Sequence, residues 1–209
     1  MSEMSEMSEM SETHIRIDEF IQSYCPLIVV WIVLASILGL PHYSFVSSLI
    51  QIITVMFFIY MYHIVLHTVI PHTPLIIFNP HIFLHHNNDV ILDKWIEVSI
   101  EAISTFWYFF SLIIFQYIFS FPLFSTSIIL SAGILYVITH SFDYSIYGNE
   151  KHSLHHKYSF CNYEPEVFDV VFGTRCIPEL PYTDMTIEIP HAILAFVIVG
   201  TLKLTLDLD

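Results

Sequence analysis

Histidine residues stand at metal-ligand spacing in two segments of this chain. His63 and His67 are four residues apart, so on a helix both imidazole rings point the same way, about 6 Å apart along the axis. His152, His155 and His156 stand at positions i, i+3 and i+4, which is again one face of a helix. Neutral imidazole is a good ligand for iron and zinc ions. The spacing therefore predicts metal ligands on two separate helices.

Two further segments add histidines to the same pattern. His81 is followed by the pair His85 and His86, and His140 closes a long apolar run. Imidazoles that converge from several segments on one face of a membrane suit a site for more than one metal ion. The candidate metal ligands are His63, His67, His81, His85, His86, His140, His152, His155 and His156.

The nearby acids and the remaining histidines have secondary roles in this interpretation. A metal-bound imidazole usually donates its other ring N–H to an acceptor. The acceptors expected from their position in the sequence are Asp89, Asp143 and Glu150. The histidines without a partner at ligand spacing, which we expect to be interfacial or solvated, are His14, His42, His72 and His191. A structural interpretation stays open, since a pair such as His63 and His67 could also form polar caps at a helix end.

Composition excludes several classes of protein. The 209 residues are 55% hydrophobic and 12% charged, with a net charge of −14. A nucleic-acid binder needs a basic surface, and a disordered chain has few apolar residues, so neither class fits. The three cysteines, Cys25, Cys161 and Cys176, include no C-x-x-C pair. They predict neither a disulfide framework nor a zinc–thiolate site.

The apolar runs have the length of membrane spans. Four runs, at 21–40, 45–70, 102–121 and 123–140, reach or approach the roughly 20 residues that cross a bilayer. Pro26 falls near the start of the first run, where a missing backbone N–H costs least. The second run would form a helix about 39 Å long, which exceeds a hydrocarbon core of roughly 30 Å. We therefore expect its last turns, with His63 and His67, to emerge into the interface.

The segments outside these four runs predict less regular structure. Met-Ser-Glu repeats at 1–12 indicate a disordered acidic tail and not a signal peptide. Alternating apolar and charged residues at 90–100 favour a helix in the interface. The run at 189–202 is too short for a confident span, and could be re-entrant, in-plane or packed on the bundle. The predicted division is a tail at 1–13, a membrane domain at 14–188 and a C-terminal segment at 189–209.

Charge placement gives these spans an orientation. Two helical hairpins put the N-terminus and segments 71–101 and 141–188 on one side of the membrane, together with every dense histidine cluster. The basic residues on that side are Arg16, Lys94, Lys151, Lys157 and Arg175. By the positive-inside rule that side is cytoplasmic. The predicted fold is an all-α membrane bundle of four transmembrane helices with a histidine-rich helical cap on the cytosolic face.

At this point the sequence resembles a known family. The motifs are His63-Ile-Val-Leu-His67, His81 with His85-His86, His140, His152-Ser-Leu-His155-His156-Lys-Tyr-Ser-Phe-Cys-Asn-Tyr and Phe168-Asp-Val-Val-Phe-Gly-Thr174. Together they resemble the fatty acid hydroxylase and sterol desaturase superfamily over roughly residues 20–176. The stretch 133–140 is similar to the fatty acid 2-hydroxylase branch.

The resemblance implies a four-span fold whose cytosolic histidine cage holds two iron ions that activate O2. Two features depart from the family pattern. His81 stands three residues before His85-His86 where the family has two, and Tyr144 stands where the 2-hydroxylase branch has another histidine.

These observations predict a membrane oxygenase of the endoplasmic reticulum that hydroxylates or desaturates a lipid. Fatty acid, sphingolipid acyl chain and sterol stay open as substrates. Electrons would come from a separate donor of the cytochrome b5 or reductase type, because 209 residues leave no room for such a domain. One alternative is a non-catalytic protein that keeps the fold around a structural zinc ion. A metal transporter fits less well, because its ligands should lie near the bilayer midplane.

Two acidic segments have interpretations of their own. Glu164-Pro165-Glu166 followed by a run to Gly173 predicts a short helix with Pro in its first turn and Gly as its stop. We favour an ordinary surface helix over a cover for the metal face. Acids that recur every fourth residue, Asp89, Asp93, Glu97 and Glu101, predict a solvated helix face more than a docking site for a basic electron donor.

Overall fold

The structure is a computed structural model that describes residues 2–39, 42–72, 93–158, 160–178 and 180–208, with side chains from Asp18 onward except at 144 and 145. The helices, in chain order, are α1 Ser2–Gly39, α2 Phe45–Thr68, α3 Lys94–Ile118, α4 Thr126–Thr139, α5 Glu150–Lys157, α6 Glu166–Phe172 and α7 Ile189–Leu206. Short 3₁₀-helices at Ile70–His72 and Met185–Glu188 and a π-helix at His140–Ile146 complete them. Within these ranges the chain forms no strand, which confirms the all-α prediction.

Within the described ranges, five helical segments are long and apolar enough to cross a membrane. They are Asp18–Gly39, Phe45–His72, Lys94–Ile118, Thr126–Asp143 and Met185–Leu206. Large apolar side chains stay exposed along them, for example Val29, Ile50 and Val197. Such surfaces are compatible with lipid contact, because a helix satisfies its own backbone groups and can present apolar side chains outward. The structure is therefore compatible with an integral membrane protein.

The C-terminal segment differs from its prediction. With the 3₁₀-helix that precedes it, α7 forms a continuous candidate span of 22 residues instead of the short run at 189–202. It packs against α1 and α4. Ala192 and Ala195 are buried there beside Leu27 and Leu135. The fold thus has five candidate spans, and α7 is an integral part of the bundle.

Two boundaries near α1 and α3 also differ. Pro26 lies in the interior of the 38-residue α1, not near the start of a helix. Residues 94–100, expected as part of an interfacial helix, are the first turns of the 25-residue α3. The Asp93 carboxylate caps this helix by accepting a hydrogen bond from the backbone N–H of Trp95 at 2.9 Å. A cap at Asp93 begins the long helix there and leaves no separate element in the described part of this segment.

Helix α1 as the structure has it begins at Ser2 and so runs through the Met-Ser-Glu repeat, where the sequence predicts a disordered tail. Side chains are described only from Asp18 on. The division of the chain into tail, membrane domain and C-terminal segment stays a prediction.

Helices α3 and α4 approach each other closely at a glycine. Phe109 of α3 is fully buried among Ile129, Ala132 and Tyr136 of α4. A Cβ atom added to Gly133 would lie 2.9 Å from both Cβ and Cγ of Phe109. Only a residue without a side chain leaves room for the ring, so Gly133 sets the distance between these two helices.

Gly133→Ala should lower the free energy of unfolding by about 1–3 kcal/mol, because the added methyl group forces Phe109 or the helix backbone to move. Gly200→Ala is the matched control. A Cβ atom there would meet only Leu38 Cδ2 at 3.9 Å. That change should be neutral or raise stability by up to about 1 kcal/mol through helix propensity. Denaturant unfolding of the purified protein in detergent measures both, and equal effects would contradict the close approach.

Five crossings should place the two ends of the chain on opposite faces of the membrane, whereas four crossings would place them on the same face. Short protease-cleavable tags at the N-terminus and after Asp209 test this in sealed vesicles from expressing cells. We expect one tag to be cleaved before detergent is added and the other only afterward. Cleavage of both tags at the same stage would contradict a membrane-spanning α7.

Candidate metal centre

Three buried histidines from two helices form the first donor cluster. His63 and His67 come from α2 and His155 comes from α5, and one ligand atom of each lies within 4.8 Å of the others. Nε2 of His67 is 3.3 Å from Nε2 of His155. Two imidazole nitrogens bound to one metal ion at about 2.0–2.1 Å would lie roughly 3.3 Å apart at a tetrahedral angle. The pair therefore already has the spacing of two ligands of one ion.

Backbone carbonyls orient two of these rings. Nδ1 of His63 donates to the carbonyl oxygen of Tyr163, and Nδ1 of His155 donates to that of Cys161 at 2.7 Å. A ring that donates from Nδ1 keeps the lone pair on Nε2, which is the form that binds a metal ion. We expected carboxylates as acceptors, but the loop between α5 and α6 supplies backbone oxygens instead.

The second cluster combines two imidazoles with a carboxylate. His140, the first residue of the π-helix, and His152 of α5 lie beside Glu164, and all three side chains are buried. Nε2 of His140 is 3.7 Å from an oxygen of Glu164, and Nδ1 of His152 is 3.8 Å from the other. Glu101 of α3 also lies 3.7 Å from Nε2 of His140.

Helix α5 joins the two clusters. The ring centroids of His152 and His155 are 6.1 Å apart, so the two donor sets lie side by side. On the other side of the His152 ring, Nε2 lies 2.8 Å from Nε2 of His156, within hydrogen-bond distance. Mainly burial, and secondly the neighbouring His140 and His156, lower the pKa of His152 well below its usual value. The ring is therefore neutral at physiological pH, as a metal ligand must be.

Glu101 and Glu164 are site residues that the sequence did not identify. Glu101 was expected on a solvated helix face, but it is fully buried and also accepts from Thr105 at 3.4 Å. Its partner His140 lies on another helix, so spacing along α3 gives no signal for it. A signal was present for Glu164, which stands beside the His152 block, but its partners lie across the loop.

Asp169 of α6 holds the loop that orients the histidines. Its carboxylate accepts from the backbone N–H groups of Tyr163 and Glu164 at 2.9 and 2.8 Å. The Thr174 hydroxyl donates to it at 2.5 Å, and that hydroxyl also bonds to Tyr60 of α2. Burial raises the pKa of Asp169 to about 6, against the opposing effect of these hydrogen bonds.

A disulfide closes the same loop. Cys161 and Cys176 are bonded, with their Cα atoms 5.1 Å apart, so the prediction that no disulfide forms is wrong. Helix α6 and the left-handed turn at Gly173 reverse the chain, so that Cys176 lies beside Cys161. Cysteine spacing alone does not reveal this geometry. The Asn162 side chain makes two further hydrogen bonds across this loop. Its amide NH2 group donates to the Lys151 carbonyl, and its amide oxygen accepts from the backbone N–H of Cys176.

A third group of donors lies between the π-helix and the start of α7. Asp143, Glu188 and His191 bring one ligand atom each within 4.8 Å of the others. We expected His191 to be solvated and Asp143 to accept from a metal-bound imidazole. Instead, Nδ1 of His191 lies 3.4 Å from Asp143 and 2.8 Å from Glu188.

Three other predicted residues with described side chains have no part in these groups. His42, His72 and Glu150 are exposed, so Glu150 is not an acceptor for a ligand. Tyr144 lies in the π-helix, and its side chain is not described. The remaining predicted residues, His81, His85, His86 and Asp89, lie outside the described residues, as does the side chain of His14.

An apolar cavity of about 350 Å³ leads to the second cluster. Its apolar wall comes from α1, α2 and α4 and includes Trp31, Ile52 and Met56, whereas Tyr136 and Glu164 lie at its polar end. The short helix predicted after Glu164 is confirmed as α6, and Val171 and Phe172 leave one of its faces exposed, as in the surface helix that we favoured. Val167 and Phe168 of α6 line the cavity and so form part of its wall.

A buried charge network borders the cavity. The Glu166 carboxylate accepts from Lys151 and Tyr24 and lies 3.3 Å from the Arg175 guanidinium. Burial alone would raise the pKa of Glu166, but the hydrogen bonds from Lys151 and Tyr24 lower it below the usual value. Together these contacts fix α5 and α6 against α1.

Comparison of the chain with protein-family models, curated proteins and solved structures finds no match.

Asp169→Asn should lower the free energy of unfolding by about 1–3 kcal/mol, because the amide turns an NH2 group toward a backbone N–H and leaves it without an acceptor. Asp184→Asn is the control. Asp184 is an exposed cap, and asparagine caps a helix about as well as aspartate. Thermal or denaturant unfolding measures both variants. Equal stabilities would show that Asp169 does not hold the loop.

Proposed function

We propose that this protein is a membrane-bound di-iron oxygenase that hydroxylates or desaturates a lipid. One observation supports the proposal above all: of two adjacent clusters of buried nitrogen and oxygen donors, the second contributes Glu164 to the lining of an apolar cavity walled by span-length helices. The family resemblance of the histidine motifs points to the same chemistry. The proposal also rests on the candidate membrane spans and on the histidine groups that could hold a metal ion.

The donor set fits iron. Imidazole with one carboxylate is a common ligand set for non-haem iron, and zinc accepts the same donors. His63, His67 and His155 would hold one ion, and His140, His152 and Glu164 the other, with His156 beside them. His81, His85 and His86 stay candidates from sequence alone. Reduced iron bound there would supply O2 activation and hydrogen abstraction from an unreactive C–H bond.

The chain itself would bind and orient the substrate. The cavity accepts an apolar chain and lies within the range of about 300–1,000 Å³ typical of ligand pockets. Trp31, Ile52 and Met56 would contact the lipid and exclude water. Tyr136 would position its reacting carbon, since the Tyr136 ring stacks on His140 with centroids 4.5 Å apart. The lipid would reach the cavity laterally from the bilayer.

Hydroxylation would consume the C–H bond, O2, two electrons and two protons and yield an alcohol and water. The electrons would come from a separate donor of the cytochrome b5 or reductase type. A fatty acid, a sphingolipid acyl chain and a sterol each fit an apolar cavity. The endoplasmic reticulum, with the histidines on the cytosolic face, is the proposed location because such donors act there.

Protein purified in the presence of Fe²⁺ should contain at least two iron ions per chain, and cells that express it should contain an oxidised lipid that control cells lack. His155→Gln should abolish the lipid product because it removes one of the three ligands of the first ion. His42→Gln, which changes an exposed histidine, should keep iron and product. Elemental analysis and mass spectrometry of extracted lipids measure the two outcomes.

The structural-zinc alternative predicts a different pattern. His155→Gln would then lower the unfolding temperature while no variant, including the wild-type chain, changes the lipid profile. Wild-type protein without bound iron together with an unchanged lipid profile would contradict the oxygenase proposal.

A further inference from the structure

We propose that Asp143, Glu188 and His191 form a third, separate site for a divalent first-row metal ion such as Mn²⁺. The three residues come from the π-helix, the 3₁₀-helix before α7 and α7 itself. None of them belongs to the histidine clusters described above. This inference goes beyond the proposed oxygenase and does not depend on it.

The distances between donor atoms fit a single ion. Three ligands at about 2.0–2.2 Å from one ion lie roughly 3.0 Å apart at octahedral angles and about 3.5 Å apart at tetrahedral angles. Nδ1 of His191 is 2.8 Å from Oε2 of Glu188 and 3.4 Å from Oδ2 of Asp143. Two of the three distances therefore match ligands of one ion, and the third pair, Glu188 and Asp143, lies within 4.8 Å. Two carboxylates and one imidazole are donors that suit manganese, iron and zinc.

Charge gives an independent reason for a cation here. The Glu188 side chain is 2% exposed and that of Asp143 is 15% exposed, so two carboxylates face each other away from water. A protonated His191 would neutralise only one of them. Oδ2 of Asp143 is buried, and its contact with Nδ1 of His191, at 3.4 Å, is longer than a good hydrogen bond. A divalent ion bound to all three residues would neutralise both carboxylates.

The surroundings of Glu188 resemble the outer shell of a metal site. The Thr139 hydroxyl donates to Oε2 of Glu188 at 2.6 Å and fixes the orientation of the carboxylate. Such outer hydrogen bonds hold ligating carboxylates in place. Thr139 is the last residue of α4, so the bound ion would tie α4 and the π-helix to α7.

Mn²⁺ binding to the full chain in lipid nanodiscs tests the site. The histidine clusters are removed as competitors in a His63→Gln/His152→Gln background, which takes one ligand from each cluster and in which about one Mn²⁺ per chain should still bind. Adding Asp143→Asn or Glu188→Gln to that background should weaken Mn²⁺ binding at least tenfold, by analogy with lost ligand contacts. Asp207→Asn, an exposed acid at the other end of α7, should leave it unchanged.

A measurement on the wild-type chain covers the case in which these variants fail to fold. Electron spin-echo spectroscopy of bound Mn²⁺ should show coupling to a single imidazole nitrogen, whereas the histidine clusters would give several. Folded Asp143→Asn and Glu188→Gln chains that bind Mn²⁺ like the control, or a wild-type spectrum without the single-nitrogen species, would overturn the proposal. If the His63→Gln/His152→Gln chain keeps its ion while the wild-type chain makes no lipid product, only the oxygenase proposal fails.

Discussion

The site depends on hydrogen bonds between imidazole Nδ1 atoms and backbone carbonyls. A buried imidazole binds a metal ion only when one nitrogen is free of its proton and the other has an acceptor. Tyr163 and Cys161 supply these acceptors to His63 and His155. Both carbonyls belong to the loop between α5 and α6, so a displacement of this loop would turn two rings on two different helices at once. The same loop places the carboxylate of Glu164 between His140 and His152.

Three kinds of bond hold this loop, and each connects it to a different part of the molecule. The Asp169 carboxylate, on α6, accepts hydrogen bonds from two backbone N–H groups of the loop. The disulfide connects Cys161 in the loop to Cys176 after α6. Asn162 connects it to α5 through the carbonyl of Lys151. Since α6 also forms a wall of the apolar cavity, the positions of the metal ligands and the shape of the cavity are fixed by the same few contacts. A substrate that displaced α6 would thus also affect the donor geometry.

Local spacing was enough to predict part of this arrangement. The histidine pair on α2, the histidine face of α5, the helix before Gly173 and the first four apolar helices all follow from periodicities within one segment. The contacts between segments do not. Glu101 and Glu164 reach His140 from two other elements, and α7 packs into the bundle although its run of apolar residues looked short. Buried acids resemble solvated acids in sequence, because only the folded chain shows which side of a helix faces a partner.

The π-helix separates Asp143 from His140, although Asp143 was expected to accept from a metal-bound imidazole because it stands near the histidines in sequence. Residues three apart on an α-helix share a face, so an α-helix would place Asp143 beside His140. The π-helix from His140 to Ile146 is wider and has more residues in each turn, so side chains three residues apart diverge more. His140 therefore faces Glu101 and Glu164, while Asp143 faces α7 and meets His191. Because of this local change in helix type, one short segment contributes His140 to the second donor cluster and Asp143 to the third group of donors. An uninterrupted α-helix would place these two side chains on one face.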